Sequence, residues 1–255
     1  KVSREQSCVE AIVEILTLLD AAVVAHALAS IVLESHGTEP SLHLHLLDWK
    51  RFDESVQEKC VSIYFNRFRW SSSIVVQERA FTALVSAIQS EDQQLEDFVA
   101  HVVRKDVVQV GQRRLSSIAV KMAASCTVRA RVEAIVVLLK MHDAAVVAQA
   151  LTSHMLVGSR HSRSTTPPDC LQLLDWKRFS ACVREHSVNI LFQQFQLTSD
   201  QGLQRRALTE LVSAIQSADQ QLEGFIARVF RKDESLSGQR ALSVIAVETA
   251  KSSTE

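Results

Sequence analysis

The hydrophobic residues of this chain recur at intervals of three and four positions, the spacing that places them on one face of an α-helix. One series runs from Val9 to Leu19 and a second from Val23 to Ile31, with polar residues between the apolar ones. The pattern predicts two amphipathic helices near the start of the sequence.

The same spacing predicts further helices at residues 49–70, 77–89, 92–104 and 115–122. The residues that we expect to be buried in these helices include Phe52, Cys60, Phe81, Leu84, Leu95 and Val99. Ser90 and Gln93 have the spacing of a capping box, which we expect to end one helix and begin the next.

The chain carries its own sequence twice. LLDWKRF occurs at Leu46 and again at Leu173, 127 positions later, and LVSAIQS, DQQLE, RKD and GQR recur at the same interval. EAIV and DAAVVA recur at an interval of 123, so the second copy has extra residues in GSRHSRSTTPPDC, which we expect to be a surface loop. The sequence therefore predicts an all-α protein of two tandem homologous copies, residues 1–124 and 125–255, with about six helices in each.

Two matching segments carry a resemblance to a known class. QERAFTALVSAIQ begins at Gln77 and LQRRALTELVSAIQ begins at Leu203, and both place an Arg and a small residue ahead of Leu and Val. In this pattern the chain resembles the HEAT and armadillo class of α-solenoids. The resemblance implies helical hairpins stacked through residues 123–131 into one continuous body that binds a partner. A compact duplicated α-domain is the alternative.

A second likeness involves one histidine. The stretch DAAVVAQALTSHML contains His154 near its end. In this respect the chain is similar to the peridinin–chlorophyll proteins, which are all-helical, internally duplicated, and have a histidine at the equivalent place. The first copy has Ile31 at the matching position, so the likeness implies a pigment or small-molecule carrier in which half of a duplicated site is missing.

The composition supports a helical protein without a general attraction to nucleic acid. Only 6 Gly and 3 Pro occur in 255 residues, which leaves few of the turns that a many-stranded protein needs. Lys plus Arg (28) nearly balances Asp plus Glu (29), so the formal net charge is -1 and no global basic field surrounds the chain. Charged residues interrupt the apolar runs, and we therefore expect no membrane span.

The cysteines bear on the compartment. The five cysteines contain no CxxC pair and do not match between the copies, which favours free thiols in an intracellular, reducing compartment. We predict a cytoplasmic protein. An organelle is the alternative, because the sequence starts with Lys1 and a segment could have been removed before it.

The repeat also tests for chemistry, because a site inherited with the fold is expected in both copies. His26 corresponds to Gln149 in the second copy. His43 and His45 have no histidine counterpart there, and no Cys or carboxylate accompanies them as a further metal ligand. The sequence has no phosphate-binding loop, GxSxG, HExxH or Rossmann fingerprint. We therefore predict a non-enzymatic protein with no catalytic residue, no metal and no cofactor.

The repeated DWKRF motif has two interpretations. In one, each Trp closes the core, Asp48 and Asp175 cap the helix that follows, and the basic residues stay in water. In the other, the motif forms a pair of partner-binding faces, since Trp and Arg dominate the energetics of interfaces. The residues of these candidate faces are Trp49, Lys50, Arg51, Trp176, Lys177 and Arg178.

Basic residues are densest near the junction of the copies and could contact phosphate if their helices stack. No aromatic residue is interleaved with them to stack on bases, and a solvated helical surface is the competing interpretation. These residues are Arg104, Lys105, Arg113, Arg114, Arg129 and Arg131.

The inserted loop resembles the context of a phosphorylation site. Arg160 and Arg163 precede the three hydroxyl residues, and Pro167 follows them. The candidate acceptors are Ser164, Thr165 and Thr166.

These observations favour a scaffold or adaptor, or a structural subunit of a larger complex, which binds a protein partner along stacked helical hairpins. An RNA-binding helical-repeat protein that uses the basic junction is the first alternative. A pigment or small-molecule carrier is the second.

Overall fold

In the part of the chain that the structure describes, the fold consists of α-helices and two short 3-10 turns. A computed structural model describes residues 11–34, 48–106, 110–158, 172–217 and 219–232, together with Ser243 and Val247. No described residue lies in a β-strand. The predicted all-α class is therefore confirmed for the described part of the chain.

Ten α-helices have described bounds, and residues 11–17 are also helical. The bounds are α1 Ala21–Glu34, α2 Glu54–Trp70, α3 Ile74–Gln89, α4 Gln93–Arg104, α5 Val110–Ser125, α6 Arg129–Lys140, α7 Ala144–Gly158, α8 Ala181–Leu197, α9 Gln201–Gln216 and α10 Gln220–Lys232. The 3-10 turns are Trp49–Arg51 and Trp176–Arg178. Within these ranges no helix is long and apolar enough to cross a membrane.

The chain divides into two compact units. Unit 1 contains residues 1–115 and 133–141, and unit 2 contains residues 116–132 and 142–255. The sequence-based division between residues 124 and 125 is a single cut at the last residue of α5, whereas each unit contains part of α5 and part of α6.

Unit 1 is organised around α2, which packs against α1, α3 and α4. The inner face of α2 is aromatic, because Tyr64 and Phe68 are fully buried and Phe65 is nearly so. Phe81 and Leu84 of α3 are also fully buried, as their helical spacing predicted.

Unit 2 has α8 in the corresponding central position, packed against α7, α9 and α10. Its core contains Leu191 and Val188 of α8, Leu211 of α9 and Leu222 of α10, all fully buried. Arg228 of α10 also forms an ion pair with Glu185 of α8, 3.5 Å apart.

The predicted single helix over residues 49–70 is wrong, because the chain extends at Phe52 before α2 begins. Asp48 caps only the 3-10 turn, by accepting a hydrogen bond from the Lys50 backbone N–H. Asp53 then caps α2 by accepting from the Val56 backbone N–H at 2.9 Å. Two capping aspartates five positions apart therefore define two elements where hydrophobic spacing shows one.

The predicted capping box at Ser90 is also wrong. Ser90 is the C-cap of α3, and its hydroxyl donates a hydrogen bond to the Ala87 carbonyl in the preceding turn. Asp92 caps α4 instead, by accepting from the Gln94 backbone N–H at 3.0 Å. Between them, Glu91 turns the chain with a positive φ of 57°.

The first predicted helix is less buried than its pattern suggested. Ile12 and Leu19 are exposed, and so are their neighbours Ile15 and Leu18. Hydrophobic periodicity shows that a helix has an apolar face but does not show which surface covers it.

Candidate functional site

The repeated DWKRF motif forms the same local structure in each unit. In unit 1, the Lys50 ammonium donates a hydrogen bond to the Ser86 hydroxyl of α3 at 2.9 Å and lies 3.4 Å from the Asp48 carboxylate. Lys50 and its neighbour Asp48 are thereby joined to a serine 36 positions away. We call this arrangement the lysine clasp.

Unit 2 contains a second lysine clasp at the matching positions. Lys177 donates to the Ser213 hydroxyl at 2.9 Å and lies 3.7 Å from the Asp175 carboxylate. The clasp ties each 3-10 turn to the last turn of the second helix after it. The polar side chains of the repeated DWK and SAIQS motifs therefore have a structural role, because they bond to one another in each unit.

The two tryptophans of the motif are not exposed anchors. Trp49 is 4% exposed and packs edge-on against Tyr64, with ring centroids 5.3 Å apart, and Trp176 is 1% exposed. Of the basic residues, Arg51 and Arg178 are exposed. The motif thus places its aromatic side chains in the core and leaves only its arginines on the surface.

The RKD and GQR motifs also meet in unit 1. The buried carboxylate of Asp106 forms an ion pair with Arg69 at 3.0 Å and accepts a hydrogen bond from the Gln112 backbone N–H at 3.0 Å. The Gln112 side chain donates to the Val103 carbonyl at 2.9 Å. Asp106 therefore fixes the start of α5 against α2.

The basic residues proposed for phosphate contact have different surroundings. In unit 1, Arg104 and Lys105 line a cleft of about 440 Å³ together with Glu96 and Asp97. The two acids oppose the attraction of phosphate to the two bases. Arg113 and Arg114 are exposed, and Arg114 donates to the Arg69 carbonyl at 3.3 Å. Arg129 and Arg131 belong to unit 2, where Arg129 is exposed and Arg131 is half-buried.

Several sequence-based candidates fall outside the described residues. These are the phosphorylation candidates Ser164, Thr165 and Thr166 and the pair His43 and His45. Among the residues with described positions, no group of three or more His, Cys, Asp or Glu side chains could hold a metal ion.

The buried cysteine of unit 1 is unsuited to nucleophilic chemistry. Burial raises the pKa of the Cys60 thiol to about 12, so the thiol stays protonated at neutral pH. Its sulfur donates to the Ala25 carbonyl at 3.7 Å. Cys60 is therefore a packing residue.

Unit 2 has a cleft with titratable side chains and an aromatic wall. Its volume is about 290 Å³. The residues that define its character are Leu151, His154, Met155, Trp176, Lys177 and Glu210. Helix α7, the second 3-10 turn and α9 contribute these side chains.

Burial shifts the pKa values of His154 and Glu210, the two titratable groups of this cleft that lie outside the lysine clasp. Burial lowers the pKa of His154, and the charge of Lys121 lowers it further, so the imidazole is neutral at pH 7. Burial raises the pKa of Glu210, while the Lys177 ammonium and the Trp176 indole N–H partly offset this. Burial therefore disfavours the charged form at both positions.

Sequence reasoning missed two functional candidates, Glu210 and Trp70. Glu210 was hidden because it sits among apolar residues in ELVSAIQ, although its counterpart Ala83 signals a departure between the copies. Trp70 is 70% exposed at the end of α2, with the Arg69 guanidinium 4.4 Å above its ring. The signal for Trp70 was the apolar pair Ile74 and Val75 soon after it.

Comparisons of this chain with protein-family models, with curated proteins and with solved structures found no match.

Proposed function

We propose that this chain is a non-enzymatic helical scaffold or adaptor, built from two homologous helical copies, which binds a protein partner through the turn between α2 and α3. The observation that carries the proposal is the cluster of Trp70, Ile74 and Val75, which are 70%, 69% and 53% exposed. We call this cluster the Trp70 surface.

The composition of the Trp70 surface favours a protein partner. Trp and Arg are the residue types most enriched among the energetically dominant residues of interfaces. Here Arg69 stacks on the Trp70 ring while its guanidinium is held by Asp106, so the ring is supported from one side. A supported ring loses little side-chain entropy when a partner covers it.

The corresponding turn of unit 2 differs. Leu197 stands where unit 1 has Trp70, and Gln201 and Gly202 replace Ile74 and Val75. Leu197 is itself exposed, but the cluster around it is not apolar. The proposal therefore assigns partner binding to unit 1.

Charge suggests what the partner carries. Arg114 is exposed, and one of its guanidinium nitrogens is anchored on the Arg69 carbonyl, next to the Trp70 surface. We expect a partner segment that places an apolar side chain on Trp70 and an acidic side chain near Arg114. The exposed residues Ile12, Ile15 and Leu18 are a second apolar surface of unit 1 and support the same function.

The test is recovery of a partner from the native source with tagged parent chain, Trp70→Ala and Ile74→Gln. Ile74→Gln installs the residue that unit 2 has at the matching position. Leu197→Ala is the matched control, since it removes an exposed apolar residue from the other turn. The proposal predicts one stoichiometric partner that the parent and Leu197→Ala retain and the two unit 1 variants lose.

A further inference from the structure

The cleft of unit 2 contains two residues that depart from the repeat. His154 matches Ile31 of the first copy, and Glu210 matches Ala83. Both positions are apolar in the first copy, and in the second copy both carry a titratable side chain that lines one cavity. Two changes that are distant in sequence and meet at one place indicate a local requirement for polar chemistry.

Packing within the fold does not explain why these two positions carry titratable side chains. Placing a titratable group in a partly buried position costs free energy unless a partner compensates it. Burial disfavours the charged form of each group, as the lowered pKa of His154 and the raised pKa of Glu210 show. The Lys177 ammonium is already engaged by Ser213 and Asp175 in the lysine clasp.

The indole ring of Trp176 forms a wall of the same cavity. Trp176 is 1% exposed, and its Nε1 atom is shielded from solvent. The indole N–H lies close enough to the Glu210 carboxyl to lower its pKa, so Trp176 and Glu210 are placed together at one side of the cavity.

We propose that the cleft of unit 2 binds a small, uncharged molecule with a flat apolar body and a hydroxyl-type polar group. His154 and Glu210 form hydrogen bonds with that polar group, and Leu151, Met155 and the Trp176 ring contact the apolar body. The two titratable side chains that replace apolar residues of the first copy thereby gain a polar partner.

The charge and size of the ligand follow from the same residues. The lysine clasp pairs Lys177 with Asp175, so this lysine attracts an anionic ligand less than an unpaired ammonium would. A volume of about 290 Å³ corresponds to about ten water molecules in the liquid, which suits one or two fused rings. The site lies within unit 2 and is separate from the Trp70 surface of unit 1.

The test uses 2-naphthol, an uncharged fused-ring alcohol, titrated into the full chain and followed by its fluorescence and by calorimetry. We expect one site per chain. Naphthalene, which has the same body without the hydroxyl, should bind about tenfold or more weakly. His154→Ile and Glu210→Ala install the residues of the first copy, and each should weaken 2-naphthol binding by about tenfold or more.

Gln149→His is the matched control, because it also installs the first-copy residue but at an exposed position of α7. Glu210→Gln keeps the size of the side chain if Glu210→Ala does not fold, as judged by circular dichroism. Absence of saturable 2-naphthol binding by the parent at about 1 mM overturns the proposal. Equal binding by the parent and by every folded His154 and Glu210 variant overturns it as well.

Discussion

Single residues explain why the most recognisable motif of this sequence is structural. DWKRF invites a surface interpretation because it joins Trp to Lys and Arg, yet Trp49 and Trp176 lie in the core. The lysine reaches a serine 36 positions away in each unit. Residue types alone could not distinguish a clasp from a binding face, because that distinction depends on which helix lies opposite.

Gly111 is required by close packing in unit 1. A Cβ atom there would lie 2.7 Å from the Asp106 carboxylate and 3.1 Å from the Phe65 ring. We predict that Gly111→Ala lowers the free energy of unfolding by about 1–3 kcal/mol, measured by denaturant titration.

Gly224 provides the matched control, since no atom lies within 4 Å of a Cβ added there. This glycine is inside α10, where alanine is the better helix former. Gly224→Ala should raise the free energy of unfolding by about 0.5–1 kcal/mol. Similar effects of the two substitutions would contradict the packing that we describe around Asp106.

His154 should make stability depend on pH. Its pKa in the folded chain lies below the ordinary value of 6.5, so the unfolded chain binds the proton more readily. The free energy of unfolding therefore decreases as the pH falls through about 6.5. His154→Ile removes this contribution and leaves the other histidines unchanged.

The measurement is the difference in unfolding free energy between the parent and His154→Ile from about pH 8 to pH 5. The parent should lose stability relative to the variant as the pH falls. A constant difference over this range would show that the imidazole titrates as it does in the unfolded chain.

At the scale of the elements, the sequence predicts the apolar faces and the last residues of the helices better than their starts. The apolar faces of α3 and α4 were predicted correctly at Phe81, Leu84, Leu95 and Val99. The predicted ends at residues 70, 89 and 104 match those of α2, α3 and α4, but α2 begins at Glu54 rather than at residue 49 because Asp53 caps it by accepting a backbone hydrogen bond. A cap is a local polar contact, and hydrophobic periodicity carries no information about it.

Asp53 should therefore be worth a measurable part of the stability of unit 1. Asp53→Ala removes the acceptor for the Val56 backbone N–H, and we expect a loss of about 1 kcal/mol in the free energy of unfolding. Asp53→Asn retains an acceptor at the same position and should restore most of it. Equal losses in both variants would show that charge, rather than the cap, stabilises the start of α2.

At the scale of the whole molecule, hydrophobic spacing and composition predict the all-α class, and the repeat shows which positions of the two copies match. The matching positions are useful beyond prediction of the fold, because positions at which the two copies differ indicate candidate functional residues. Glu210 against Ala83 marks the cleft of unit 2, and Gln201 against Ile74 marks the Trp70 surface of unit 1. The stacking of hairpins into one continuous body stays a prediction. The intracellular localisation and the resemblance to the HEAT and armadillo class also stay predictions.

The most direct test of the proposed scaffold function is the native-source purification of the parent chain beside Trp70→Ala and Leu197→Ala, with bound proteins quantified by mass spectrometry and bound RNA assayed in the same eluate. The account predicts a stoichiometric protein partner that Trp70→Ala loses and Leu197→Ala keeps. Recovery of RNA without a protein partner, or of a partner that binds all three chains equally, would contradict it.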